Sequence, residues 1–102
     1  MAPSTLFTEN DRDVTAPVPI EQRLPVWIPP PSLRDRSFSG MIEVVVDETG
    51  RVTSAVMSKS VNAAYDGLLV SAAKNWRYRP AVRDGRPVKF RRMVSVVLSP
   101  TN

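Results

Sequence analysis

The stretch from Asn75 to Val88 reads "NWRYRPAVRDGRPV". It sets Trp76 and Tyr78 among four arginines and then brings Pro80, Gly85 and Pro87. Arginines beside exposed aromatics are a common means of neutralising and stacking single-stranded nucleic acid. The same residues also suit the buried end of a helix running into a turn. The residues before them decide between these readings. In "SVNAAYDGLLVSAAKNW", Ser60 to Trp76, the residues Tyr65, Leu68, Leu69, Ala72 and Trp76 recur at helical spacing and form one apolar stripe. Trp76 is in register with Tyr65, Leu69 and Ala72, so it reads as the last core residue of a helix, not as a base-stacking ring. Pro80 stops that helix, and Tyr78 is expected to pack on the sheet edge with its hydroxyl outward.

Ser60 or Asn62 can cap the helix start, and Asp66 suits the helix dipole there. Gly67 costs about 1 kcal/mol against alanine inside a helix, which predicts a close backbone contact at that point. Upstream, in "MIEVVVDETGRV", Ile42, Val44 and Val46 alternate with Glu43, Val45 and Asp47, the pattern of a half-buried strand opened by Gly40. Asp47 to Gly50 is a hairpin turn, with Gly50 free to take positive φ. A second strand follows, about Val52 to Ser58. Val52 has one parity, Ala55 and Met57 the other, and a bulge near Ser54 reconciles them. Downstream, Gly85 turns the chain into a last strand over Val88 to Leu98. Val88, Phe90, Val94, Val96 and Leu98 share one face of it, and Arg92 falls on the same face, so Arg92 must sit at an edge or snorkel. The fold class expected is α+β: a three-stranded antiparallel sheet with the helix packed on one face.

A chain of 102 residues fits one small domain. It has no cysteine and no histidine, which removes disulfides, thiolate metal sites and histidine-based acid–base chemistry. Asp47 and Glu48 are adjacent carboxylates, but their place in a turn gives them turn chemistry. No enzymatic activity, metal or cofactor is expected. The net charge of +4 allows attraction to nucleic acid, anionic lipid or an acidic partner without choosing among them. No apolar run reaches the roughly 20 residues of a membrane span. Met1-Ala2 reads as a start placed on a fragment, so any membrane anchor is expected upstream.

Most of the prolines fall within residues 1–39. Residues 1–13 are expected to be a disordered tail, 14–39 an extended arm, and 40–99 the folded domain. The arm carries Val14, Val18, Ile20, Leu24, Val26, Trp27 and Ile28, too apolar for a solvated spacer, so it should pack on the domain with Trp27 as an anchor. A short helical turn from Ser32 to Arg36, capped by Ser32, is expected within it. Arg77, Arg79, Arg83, Arg86, Lys89, Arg91 and Arg92 form a basic tract. Such a tract is a solvated face, or it holds phosphates, lipid head groups, peptidoglycan carboxylates or an acidic partner. Nucleic acid is not expected, because the aromatics are committed to the core.

Taken in order, "GMIEVVVDETGRV", the small polar "SKSVNAAYD", the helix closing on "NWRYRPAVRDGRPV" and the final "KFRRMVSVVL" resemble the C-terminal domain of the TonB family. The resemblance spans Gly40 to Leu98. Across this span Gly40, Gly50, Tyr65, Leu69, Trp76, Tyr78, Pro80 and Gly85 are expected to be structural residues. It implies a periplasmic interaction module that helps couple the inner-membrane proton gradient to outer-membrane transport, behind a membrane anchor and a proline-rich spacer. It further implies that a transporter segment, the TonB box, pairs by β-augmentation with the last strand: Val88, Lys89, Phe90, Arg91, Arg92, Met93, Val94, Ser95, Val96, Val97 and Leu98. A terminal edge strand offers unpaired backbone groups for this. Arg83, Arg86, Lys89 and Arg91 would orient an acidic partner segment.

The family pattern usually has a Tyr-Pro with a glutamine shortly upstream, before its first helix. Here Pro29-Pro30 stands there, with Trp27 nearby and the closest glutamine at Gln22. The arm "VTAPVPIEQRLP" resembles the approach to TonB-like domains attached to other envelope proteins. The alternative role is therefore an appendage that dimerises or binds cell wall.

Overall fold

Alternation builds the sheet. Ile42, Val44 and Val46 are fully buried, while Met41, Glu43 and Val45, which alternate with them, are half-exposed, as a strand with one face in the core requires. The computed structural model describes residues 6–99. The chain runs through β1 (Phe7–Thr8), β2 (Val18–Glu21), a 3-10 turn (Pro31–Leu33), β3 (Phe38–Val46) and β4 (Val52–Lys59). It continues with α1 (Ala63–Ala73), β5 (Arg77–Arg79), β6 (Ala81–Arg83), β7 (Arg86–Val88) and β8 (Phe90–Leu98).

β4, β3 and β8 form the antiparallel sheet, and α1 covers one face, in keeping with the α+β class. The expected count of three strands needs correction. β1 adds to β8 in parallel, giving the order β1-β8-β3-β4, and two further pairs, β2–β5 and β6–β7, stand beside this sheet. These short strands occupy segments that lack alternation long enough to be read as strands. They form because backbone N–H and C=O groups need partners wherever the chain folds back on itself. Of the tail expected over residues 1–13, residues 1–5 lie outside the described residues. Phe7 and Thr8, by contrast, are paired with Phe90 and Arg91.

In β4 the pairing Val45↔Ser54 is followed by Val46↔Val52, which leaves Thr53 as an extra residue next to Ser54. This bulge is the one the parity change required. It lets Val52, Ala55 and Met57 all reach the core. At Gly40 a Cβ would lie 2.5 Å from the Lys59 carbonyl oxygen, so β3 and the end of β4 approach more closely than a side chain permits.

Asn62 caps α1 by accepting the Ala64 N–H at 2.9 Å. The Asp66 carboxylate accepts the amides of Val61 and Asn62 at 2.9 and 3.2 Å, and the Ser60 hydroxyl donates to it. Tyr65, Leu69 and Ala73 are the buried face. Leu68, expected on that face, is 56% exposed: contact with the sheet follows the four-residue spacing, and the stripe is narrower than the sequence suggests. The helix also ends before Trp76, which is buried just beyond it. Beyond its chain neighbours and its own helix backbone, no described atom lies within 4 Å of a Cβ built on Gly67, so the close contact expected there does not exist.

The arm is held mainly by its backbone. The Tyr65 hydroxyl donates to the Pro25 carbonyl at 2.6 Å, and the Trp76 indole N–H donates to the Arg23 carbonyl at 2.8 Å. Trp27 anchors it, edge-on to Phe38 and Tyr65 with ring centroids 5.8 and 5.7 Å away. Because carbonyls and β2–β5 pairing fix the arm, its aliphatic side chains need not turn inward. Val18, Ile20, Leu24, Val26 and Ile28 are exposed, against the expectation that they pack. The 3-10 turn starts after Pro30 with no side-chain cap, so Ser32 lies inside it and does not cap it.

Candidate functional site

The outer edge of β8 is covered by another strand over only part of its length. The Lys89 carbonyl accepts the Phe7 N–H at 3.1 Å, and the Met93 N–H donates to Glu9 Oε1 at 3.3 Å. Backbone groups alternate between the two sides of a strand. Hence Lys89, Arg91, Met93, Ser95 and Val97 turn their backbone groups to the outer edge. Phe90, Arg92, Val94, Val96 and Leu98 turn theirs to β3, in register with Val46, Val44, Ile42, Gly40 and Phe38. β1 reaches only Phe90 and Arg91. Among the described residues no strand lies beside Ser95 and Val97.

The inward side chains Phe90, Val96 and Leu98 are buried, which anchors the strand while its edge stays open. The expected single strand Val88–Leu98 is in fact two pieces. Asp84 and Gly85 take φ of 52° and 77°, the left-handed pair of a two-residue hairpin turn, with Arg83 opposite Arg86. That turn draws Arg86–Val88 into a hairpin of its own, with Val88 opposite Ala81, and Lys89 is the break before β8.

The basic tract does not converge on one point. Arg83 Nε lies 2.8 Å from Asp13 Oδ2, and its guanidinium carbon sits 5.2 Å from the centre of the Phe7 ring. The Asp13 hydrogen bond and charge push the Arg83 pKa further up, so this side chain stays charged. Arg91 pairs with Glu43 at 3.3 Å across to β3, and Arg92 with Glu9 at 3.7 Å. Arg86 and Lys89 line an open groove of about 510 Å³ with Phe7, Arg83 and Pro87. Exposed pairs of this kind are worth little individually. They accompany Phe7 and Glu9 on β8 and hold Asp13 to Arg83 at the β6–β7 hairpin. Sequence reasoning missed these three residues, although the alternating acids of "TENDRD" facing a basic tract were a usable signal.

The supporting residues lie behind this edge. Gly50, at φ 89°, passes so close to β5 that a Cβ would lie 1.9 Å from the Tyr78 carbonyl oxygen, and the Tyr78 N–H donates to the Gly50 carbonyl at 2.9 Å. Tyr78 is buried whole, and its hydroxyl has no hydrogen-bond partner among the described residues. The expectation of an outward hydroxyl is thus corrected: Tyr78 joins the core cluster beneath the sheet. Burial raises the Tyr78 pKa, with the nearby Arg92 charge opposing. Pro80 separates β5 from β6. Asp47 and Asp66 are engaged in the turn and the helix start, respectively.

The family model for the Gram-negative bacterial TonB protein C-terminal matches residues 35–97. The chain belongs to this TonB C-terminal family. The match starts just before β3 and ends one residue short of the end of β8, so it takes in nearly all of the antiparallel sheet, α1 and the last residues of the arm, but not β1. The chain also resembles the solution NMR structure of the Pseudomonas aeruginosa TonB CTD. That likeness has a TM-score of 0.55 and 21% identity over 97% of this chain and 96% of that one, and it shows the shared TonB-type fold. No curated protein matches the chain. No helix among the described residues is long and apolar enough to cross a membrane.

Proposed function

We propose that this chain is a non-enzymatic periplasmic interaction module that binds an extended peptide of an outer-membrane transporter by adding it as a strand to β8. The observation that carries the reading is the open edge itself. Ser95 and Val97 turn N–H and C=O outward with no strand beside them, on a strand whose other side is locked to β3 along its whole length. Main-chain pairing tolerates varied partner sequences and resists pulling along the strand. Membership of the TonB C-terminal family supports the same role in proton-gradient-driven transport, with the domain tethered to the inner membrane through an upstream anchor. Titrating labelled chain with TonB-box peptides from the same organism tests it. Amide shifts at Met93, Ser95 and Val97 are expected, and shifts confined to the arm or absent at saturating peptide would sink it.

A second reading, self-association as an appendage of a larger envelope protein, draws on the arm. Val26 and Ile28 are 78% and 81% exposed beside Leu24, an apolar row on one short segment. Sedimentation at several concentrations decides it: a chain that stays monomeric throughout excludes this version.

A further inference from the structure

The edge that would receive a partner already holds a strand of this chain. Phe7–Thr8 lies parallel to Phe90–Arg91, and the Phe7 N–H takes the Lys89 carbonyl. At the next outward position Glu9 substitutes its side chain for a backbone rung, accepting the Met93 N–H at 3.3 Å beside the Arg92 guanidinium at 3.7 Å. The chain then leaves the edge. Asp11 closes a turn onto Thr8, its carboxylate accepting the Thr8 N–H at 2.7 Å and its own N–H donating to the Thr8 carbonyl at 2.9 Å. Asp13 and Phe7 both hold Arg83. Thr15 and Val82 exchange backbone hydrogen bonds of 2.8 and 3.1 Å, which fixes where the segment ends.

We infer that Phe7–Glu9 is a tethered competitor for the β8 edge, and that its side chains describe the partner that replaces it. That partner is an extended segment carrying a carboxylate for Arg92 and the Met93 N–H. Two residues earlier it carries an aromatic or other flat apolar group for Arg83. The inference rests on reading β8 as a peptide-binding edge. Neighbouring strands need about 4.8 Å of lateral room, so two strands cannot occupy one position along the same edge. A partner running the length of β8 must lift β1 away. One confined to Ser95 and Val97 need not. The strap is two strand residues and exposed ion pairs, so it is weak enough to be displaced and gains its occupancy from being tethered.

The test uses the full chain, a variant combining Phe7→Ser with Glu9→Lys, and a synthetic peptide with the sequence of Leu6 to Asp13 added in trans. The variant should exchange its Met93 amide faster. If the strap is docked about nine-tenths of the time, the variant should bind the peptide about tenfold more tightly than the unaltered chain. Glu9→Gln alone should move both readouts the same way by a smaller factor. Equal Met93 exchange and equal peptide affinity in all three chains would overturn the competitor. Faster exchange in the variant with no peptide binding to any chain would keep the strap on β8 and overturn the edge as a docking site.

Discussion

The Trp76 indole N–H and the Arg23 carbonyl meet at 2.8 Å although 53 residues of chain separate them. A residue just past the helix end thereby fixes the arm to the domain. Trp76→Phe keeps most of the ring's burial and removes the bond. It should cost roughly 1 kcal/mol for the hydrogen bond and somewhat more for the smaller ring. The specific sign is in the arm: β2 amides should exchange faster while those of β3 keep their protection.

The two buried tyrosines should respond differently to loss of the hydroxyl. Tyr65 donates to the Pro25 carbonyl at 2.6 Å, so Tyr65→Phe should lose about 1 kcal/mol. Tyr78 holds a buried hydroxyl with no partner among the described residues, so Tyr78→Phe should leave stability unchanged or raise it by up to about 1 kcal/mol. Urea unfolding of both variants checks the pair. A loss of about 2 kcal/mol or more from Tyr78→Phe would point to a partner for that hydroxyl.

Glycines give a second pair. At Gly67 nothing described beyond its chain neighbours and its own helix backbone lies within 4 Å of a new Cβ, so Gly67→Ala should stabilise the helix by about 1 kcal/mol. At Gly50 the φ is 89° and a Cβ would fall 1.9 Å from the Tyr78 carbonyl oxygen. Gly50→Ala should therefore cost at least about 2 kcal/mol, since the left-handed strain is joined by a backbone clash. Thermal unfolding should raise Tm in the first variant and lower it in the second.

These contrasts show what the sequence made legible. Alternation in Ile42, Val44 and Val46 placed β3, and the parity change between Val52 and Ala55 located the bulge beside Ser54. Both are local patterns that burial imposes directly. Trp76 was legible as core but not as lying beyond the helix, because helical register continues formally past the point where the backbone leaves it. What stayed hidden was pairing without pattern. β1 has two residues, and β2 holds a proline and four exposed side chains. Their stability comes from distant backbone groups, which periodicity cannot report. The β8 edge was legible as a terminal strand, but its occupation by Phe7 and Glu9 depends on a contact across more than eighty residues.

Acid should destabilise the chain through two carboxylates. Partial burial raises the pKa of Asp47 and of Asp66. In Asp47 the hydrogen bonds from Thr49 and Arg51 outweigh that effect, and in Asp66 those from Ser60, Val61 and Asn62 do. Both pKa values therefore lie below the ordinary 3.8. A depressed folded pKa contributes stability that is present above the unfolded value and lost as pH falls through the folded one. Tm should drop as pH falls below 3.8, and Asp47→Asn with Asp66→Asn should flatten that limb while lowering Tm at neutral pH.

Proline placed at neighbouring positions of β8 should separate the strand's two sides. The Ser95 N–H points to the open edge, so Ser95→Pro removes a donor that no described strand uses, a position where sheets tolerate proline. The Val96 N–H points to β3 opposite Gly40, so Val96→Pro breaks a ladder bond beside a buried side chain and should cost about 3 kcal/mol or more. Ser95→Pro should thus keep a cooperative unfolding transition close to the unaltered one. It should also abolish binding of a peptide that pairs along Met93 to Val97. Val96→Pro should fail to fold stably. A folded Ser95→Pro chain that still binds the peptide with unchanged affinity would remove this edge from the interface and direct attention to the exposed row of Leu24, Val26 and Ile28.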